Sequence, residues 1–307
     1  MKSKPKVVVI AGPTASGKTE LAIQLAEYFK AEIVNADSMQ VYRGMDIGTA
    51  KPTVEQRKKI PHHLIDVVNP DEEFNAAIYR ELALAAIQDI WRRGKICFIV
   101  GGTGLYIRAL LGGLFYVPKK DPELRSRLRK EAKEQGLKEL YKRLIEYDPE
   151  YAKLIHPNDR VRIIRALEIY YLTGEKPSEL IKRHRFKDNS LDALRIFLHI
   201  PRKQLYERIN KRSVRMIESG LIEETRRLLI QGYSPELKPM QSIGYRHMVK
   251  YIKGEWNLKQ ALRRMQTDTR RYAKRQITWF KKEPDMIWIS PEDIEKIKKE
   301  ISNFLKK

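Results

Sequence analysis

Val7-Val8-Val9-Ile10-Ala11-Gly12-Pro13-Thr14-Ala15-Ser16-Gly17-Lys18-Thr19-Glu20 joins a β-branched run to a turn and then to a helix start. The four branched residues from position 7 to 10 predict a buried strand. Leu21, Ala22, Leu25 and Ala26 recur at helical spacing, so a helix begins where the glycines end. The turn satisfies G-x-x-x-x-G-K-[ST] with Gly12, Gly17, Lys18 and Thr19. Glycines there let consecutive backbone N–H groups point into one concavity. The helix N-terminus adds a partial positive charge, and Lys18 adds a full one. Such a nest, running through Gly12, Pro13, Thr14, Ala15, Ser16, Gly17, Lys18 and Thr19, suits a diphosphate or triphosphate, and the Thr19 hydroxyl is placed for Mg²⁺. The plainer alternative is a Gly-rich strand-to-helix turn that holds nothing, although a strand and a helix flank it as the phosphate motif requires.

Outward from the nest, residues 32–37 read as a second strand ending on Asp37, and residues 38–52 as a polar loop with two glycines and no period. A loop of that length inside a compact domain is usually functional. Residues 62–68 read as a short strand, 75–93 as an amphipathic helix, and 96–100 as a further apolar strand closed by Gly101-Gly102-Thr103-Gly104 before a helix over 105–111. This alternation predicts an α/β chain with a doubly wound parallel sheet of P-loop NTPase-like type. Ligands of such sheets sit beyond the carboxyl ends of the strands, which puts the nest, Asp37 and Thr103 on one rim. From Lys119 the pattern turns wholly helical, with helices over 123–135, 137–147 and 158–173 and a start at Asp121-Pro122-Glu123. Strand character returns at 193–200 and once more at 286–289. The division that follows is a core of residues 1–117 and 196–307, with C-terminal helices, interrupted by an inserted all-helical domain at 118–195.

Charge is the second strong signal. The 307 residues carry 61 Lys and Arg against 39 Asp and Glu, a net +22. Residues 196–307 alone hold 26 basic against 13 acidic side chains, while the phosphate-loop third is nearly neutral. A surplus of this kind points to a polyanion, with nucleic acid as the default, although a solubility role would also account for it. No apolar run approaches the ~20 residues of a membrane span, and the basic start lacks a signal-peptide pattern, so a cytoplasmic protein is expected. The single cysteine, Cys97, excludes an internal disulfide and reads as a buried structural thiol.

Asp37 is the one acid at a strand end near the nest, and could serve as metal ligand, general base or cap. The strand over 96–100 ends in glycines, so the usual second acid of a phosphoryl-transferring P-loop enzyme is missing. His62 and His63 would point to opposite strand faces, and the other histidines are scattered. Arg162 and Arg165 share a helical face, as do Arg208, Arg212 and Arg215; either set could grip phosphates or simply face solvent. Residues 259–282 hold nine basic side chains and one acid, Asp268, with Tyr272, Trp279 and Phe280 interleaved, a composition suited to nucleic acid.

Taken together, Gly12 through Thr19, Asn35-Ala36-Asp37-Ser38-Met39-Gln40-Val41-Tyr42, residues 45–52, Gly101 through Tyr106, Asp159-Arg160 through Arg165-Ala166, Gln241 through Tyr245 and the stretch from Arg271 to Trp279 resemble the tRNA dimethylallyltransferases, or tRNA isopentenyltransferases. The match runs in order along nearly the whole chain, and with no Cys/His finger after it the chain is similar to the bacterial form. The resemblance implies transfer of the dimethylallyl group of dimethylallyl diphosphate to N6 of the adenosine immediately 3′ of the anticodon of tRNA. The P-loop would then bind the leaving diphosphate, with no phosphoryl group moving and no second acid needed. It further implies Asp37 as the base, Thr103 as a catalytic residue touching tRNA or diphosphate, Arg212 with Lys18 and Mg²⁺-bearing Thr19 on the diphosphate, and tRNA contacts from Asp37, Ser38, Met39, Gln40, Thr103, Val161, Arg162, Ile163, Ile164 and Arg165. The insertion would grip the anticodon stem-loop, and one chain would act as a monomer. The competing readings are an ATP-using small-molecule kinase of P-loop type and a nucleotide-gated RNA-binding protein without chemistry.

Overall fold

The computed structural model describes residues 4–115, 121–184, 188 and 190–307. The chain divides into two compact units, one of residues 1–111 with 189–307 and one of residues 112–188. The first unit opens with β1 (Lys6–Ala11), α1 (Lys18–Phe29), β2 (Ala31–Asn35), α2 (Val54–Lys59), β3 (His62–His63), α3 (Ala76–Arg92), β4 (Ile96–Gly101) and α4 (Gly104–Gly112). The second unit holds α5 (Pro122–Glu134), α6 (Leu137–Tyr147), α7 (Pro149–Lys153), α8 (Arg160–Thr173) and α9 (Pro177–His184). The chain then returns to the first unit through β5 (Asp192–Leu198), α10 (Arg202–Glu218), α11 (Leu221–Ile230), α12 (Tyr245–Ile252), α13 (Leu258–Phe280), β6 (Met286–Ile289) and α14 (Ile294–Lys306). The insertion therefore ends before β5 and not at 195/196, because β5 pairs with β1 from Lys6↔Asp192 onward. The other expected boundary, 117/118, lies outside the described residues.

The six strands run parallel in the order β3-β2-β4-β1-β5-β6. The period of two splits β1 between two cores. Val7, Val9 and Ala11 face Tyr79, Ile87 and the helices of the last third, whereas Val8 and Ile10 face Leu21, Leu25, Ile297 and Ile301 of α1 and α14. The strand expected over 62–68 shrinks to two residues, since Leu64 (φ 62°) and Asp66 (φ 56°) adopt left-handed backbone that breaks the ladder. Asp121 caps α5 with Pro122 at its first position, as read from sequence. In the helical unit, Leu128, Leu140, Leu144, Ile163 and Leu167 fill the core, and buried Glu168 is gripped by Arg125 and by Arg165 at 2.8 Å.

Two close approaches join the carboxyl ends of β2 and β4. The Ala36 N–H donates to the Val100 carbonyl at 2.7 Å, and the Thr103 N–H donates to the Ala36 carbonyl at 3.1 Å. A Cβ on Gly101 would stand 2.2 Å from that same carbonyl oxygen, so glycine is required there. The result carries Asp37 and Thr103 onto one rim, as expected.

The loop over 38–52 is firmly held. Glu224, buried on α11, accepts from the N–H groups of Asp46 (3.0 Å), Ile47 (2.9 Å) and Gly48 (3.1 Å) and from the Tyr245 hydroxyl (2.5 Å). Buried Lys51 donates to the Tyr42 carbonyl at 2.9 Å and pairs with Asp46 (2.5 Å) and Asp66 (2.6 Å). Removing the carboxylate orphans four donors at once. Glu224→Ala should cost about 3 kcal/mol of stability in urea unfolding, with Glu224→Gln falling between it and the native chain.

Candidate active site

The nest forms at the end of β1 as the motif predicts. Gly17 (φ 81°) and Ala15 (φ 65°) are both left-handed, and Gly17 leads into α1 with no side-chain cap, so the first N–H groups of the helix stay available to an anion. Ala15 lacks glycine's freedom and holds this conformation at a cost of about 1 kcal/mol or more. One residue far away in sequence keeps the loop in place. Gln276 of α13, buried, accepts from the Thr14 N–H at 2.9 Å and donates through Nε2 to the Gly102 carbonyl at 2.9 Å. Thr14, Ala15, Gly17, Lys18 and Thr19 face a cavity of about 830 Å³, whereas Pro13 and Gly12 are buried and shape the turn behind it.

That cavity also takes in Asp37 and the α10 row Arg208, Arg212 and Arg215. Arg208 leans on Glu292 at 3.6 Å and Arg215 is exposed. Arg212 and Lys18 have no hydrogen-bond or ion-pair partner among the described residues, yet both are withdrawn from solvent. Burial pushes the Lys18 ammonium down to about 8, with Asp37 pulling it back up and Arg212 adding repulsion. Burial likewise lowers Arg212, against the pull of Asp37 and Glu20. A second cavity, of about 280 Å³, lies against α13, where Ile209, Met216, Ile243, Met265 and Tyr272 share the wall with Ser213, Ser242, Arg246, Thr269 and Arg275. The two spaces meet at Lys18, Asp37 and Arg212, which line both.

Asp37 sits two residues past β2, and its turn is built from the neighbouring backbone. Its N–H donates to Asn35 Oδ1 (3.1 Å), and its Oδ1 accepts from the Met39 N–H (2.9 Å). The other carboxylate oxygen makes no hydrogen bond to protein among the described residues. Thr103 does not line either cavity. It stands behind the turn, where its Oγ1 accepts from the Ser38 N–H at 3.0 Å and its hydroxyl meets that of Tyr272. Thr103 thus supports the turn that carries Asp37. Ser38 and Met39 line the smaller cavity. Gln40 uses its amide N–H groups on the Thr49 and Ala50 carbonyls at 3.2 Å each, so it holds the loop.

Of the five α8 residues expected to touch RNA, Ile163 and Ile164 are core of the helical unit and offer no side chain to a partner. Val161 and Arg162 are exposed, Arg162 beside Asp159 at 3.3 Å, and Arg165 is committed to Glu168. Sequence reasoning assigned no role to Gln276 or Glu224, and read Tyr272 only as one of the aromatics in a stretch suited to nucleic acid. Gln276 is one of three glutamines on α13, so composition did not single it out, and Glu224 carried no local signal.

No group of three or more His, Cys, Asp or Glu side chains is placed to hold a metal among the described residues. The donors present suit an ion that arrives on phosphate oxygens. Thr19 and Asp37 open on the same cavity, and Mg²⁺ commonly takes one or two protein oxygens together with substrate phosphates. A third cavity, of about 770 Å³, lies between α12 and α13 and shares only Arg246 with the second. Around it stand Lys250, Lys253, Arg263, Arg264 and Arg271, with the Trp256 ring between Arg264 (4.4 Å) and Lys250 (4.9 Å).

A parallel sheet with an uncapped phosphate nest, partnerless cations and one open carboxylate defines a P-loop-type enzyme that handles a diphosphate. The chain belongs to the family described as IPP transferase, whose sequence model matches residues 40–283. It is 52% identical over 304 residues to tRNA dimethylallyltransferase 2 of Geotalea uraniireducens, covering 99% of this chain and 98% of the relative. It is 51% identical over 287 residues to the tRNA dimethylallyltransferase of Geobacter sulfurreducens, with 94% and 92% covered. Among solved structures, the full-length tRNA isopentenylpyrophosphate transferase of Bacillus halodurans superposes with a TM-score of 0.73 at 39% identity, over 99% of this chain and 97% of that one. A eukaryotic dimethylallyltransferase described as acting on tRNA gives 0.82 at 34% identity, over 98% and 77%.

Lys18 sets a pH dependence. Its ammonium is present below about 8 and lost above, so the affinity for a diphosphate monoester should be flat from pH 6.5 to 8. Above pH 8 it should fall by up to about tenfold per pH unit. Lys18→Met should bind weakly with no such slope, and calorimetric titration across this range reads both.

Proposed function

We propose that the chain transfers the dimethylallyl group of dimethylallyl diphosphate to N6 of the adenosine immediately 3′ of the anticodon of tRNA, acting as a monomer in the cytoplasm. The carrying observation is the meeting of the phosphate-suited cavity with a second, smaller one against α13 at Lys18, Asp37 and Arg212. A diphosphate laid in the nest directs its ester carbon toward that junction, and a purine entering under α13 arrives from the other side. Every group the reaction needs comes from one chain. Among the described residues, no helix is long and apolar enough to cross a membrane.

The reaction breaks the C–O bond to the diphosphate and forms a C–N bond to the exocyclic amine, with the electron pair leaving on the diphosphate and a proton leaving the nitrogen. That amine is a weak nucleophile, since its lone pair is delocalised into the ring. The open oxygen of Asp37 takes the proton as the bond forms. Lys18, Arg212 and the N–H groups of the nest hold the charge that grows on the diphosphate, and they are in place beforehand. Thr19, with diphosphate oxygens, would hold Mg²⁺, which when bound offsets part of that charge. The base must first leave its stack, at a few kcal/mol. The cations between α12 and α13 and those of the helical unit suit the phosphates of the anticodon stem-loop.

The decisive assay follows radiolabel from dimethylallyl diphosphate into an unmodified anticodon stem-loop, with ATP labelled at its terminal phosphate as control. Label should enter the RNA and vanish when the acceptor adenosine becomes guanosine; phosphate transfer from ATP in its place would overturn the reading. Asp37→Ala should lower turnover about 100-fold or more while RNA binding, read by filter retention, stays within a few-fold. Loss of binding and turnover together would make Asp37 a docking residue.

A further inference from the structure

The smaller cavity has one aromatic ring on its wall, Tyr272. Elsewhere that wall is aliphatic or sulfur-bearing, hydroxylic, charged, or, at Gln276, an amide. Tyr272 is half-buried, so its ring is presented to a space and is not packed into a core. Its hydroxyl meets Thr103, whose Oγ1 also accepts from the Ser38 N–H at 3.0 Å. The Arg275 guanidinium, one turn on, stands 5.7 Å from the ring centroid. A phenol has few rotatable bonds and gives up little freedom when a ligand lies on it, so the ring is a ready-made plane. The same helix also exposes Arg271 and Lys274, which fits a helix that meets RNA. A purine pulled from its stack loses base–base contact, and a fixed aromatic face restores it.

We propose that Tyr272 is the stacking platform for the acceptor base: the extruded purine lies on the phenol ring with its exocyclic amine toward Asp37. The inference rests on the tRNA-transfer reading and deepens it. Thr103 lies beside both the Tyr272 hydroxyl and the turn that carries Asp37, so the ring and the carboxylate adjoin one residue.

The test uses the full chain and a stem-loop with 2-aminopurine at the acceptor position, which stacks as adenine does but has no amine at the reacting place. Emission from the bound probe should be quenched equally in the native chain and in Tyr272→Phe, and should rise several-fold in Tyr272→Leu. With the adenosine stem-loop, kcat/KM for RNA should fall about tenfold in Tyr272→Leu and stay within threefold in Tyr272→Phe, while KM for dimethylallyl diphosphate does not move. Thermal unfolding checks that the leucine variant folds. Should it not, Tyr272→Trp replaces it, with deeper quenching expected and unchanged emission counting against the proposal. Unchanged emission and unchanged RNA kcat/KM in a folded Tyr272→Leu overturn the platform. So does a rise confined to KM for dimethylallyl diphosphate, which would put the ring on the prenyl side. Absence of any transfer to RNA by the native chain would instead defeat the underlying reading of function.

Discussion

One buried amide holds the rim together. Gln276 receives the Thr14 N–H on its oxygen and gives its own N–H to the Gly102 carbonyl, tying the loops that follow β1 and β4 to a helix 262 positions downstream of the nest. Only a side-chain amide offers an acceptor and a donor side by side at that spacing; glutamate would lack the donor and methionine both. A Cβ on Gly102 would stand 2.2 Å from the amide nitrogen, so the approach is as close as backbone permits. The left-handed backbone at Ala15 and Gly17 needs such outside support, since strained loops persist only where their surroundings over-determine them. The basic last third is therefore the scaffold of the nest as much as a surface for polyanions.

The site's charges make sense in the same frame. Lys18 and Arg212 stand close, half-withdrawn from water and without an ion pair, an arrangement that is unfavourable by itself. An arriving diphosphate relieves both the burial and the mutual repulsion. The free energy stored in this crowding goes into binding the charge that the reaction releases.

The P-loop and its flanking elements were legible because they depend on local spacing: a branched run, two glycines, a lysine and a 3.6-residue period within twenty positions. The helical insertion was legible for the same reason, through caps such as Asp121 and Pro122. What escaped were interactions closed by the fold. Glu224 meets residues 46–48 from more than 170 positions away, and Gln276 and Tyr272 reach Gly102 and Thr103 across a similar gap. The α8 stretch misled in a different way. Arg162 and Arg165 do share a face, but Ile163 and Ile164 between them point inward, and a run of consecutive residues on a helix never shares one surface. At β3 the apolar run promised seven residues of strand, and two left-handed residues ended it after two.

The carboxylate of Glu224 has one more effect. The three consecutive N–H groups at positions 46–48 form a cradle of the same kind as the P-loop, and Gly48 and Thr49 border the cavity where the two spaces meet. The protein fills this cradle with a buried acid of its own, so the loop is shaped by the chain itself and its border with the cavity is set before any ligand arrives.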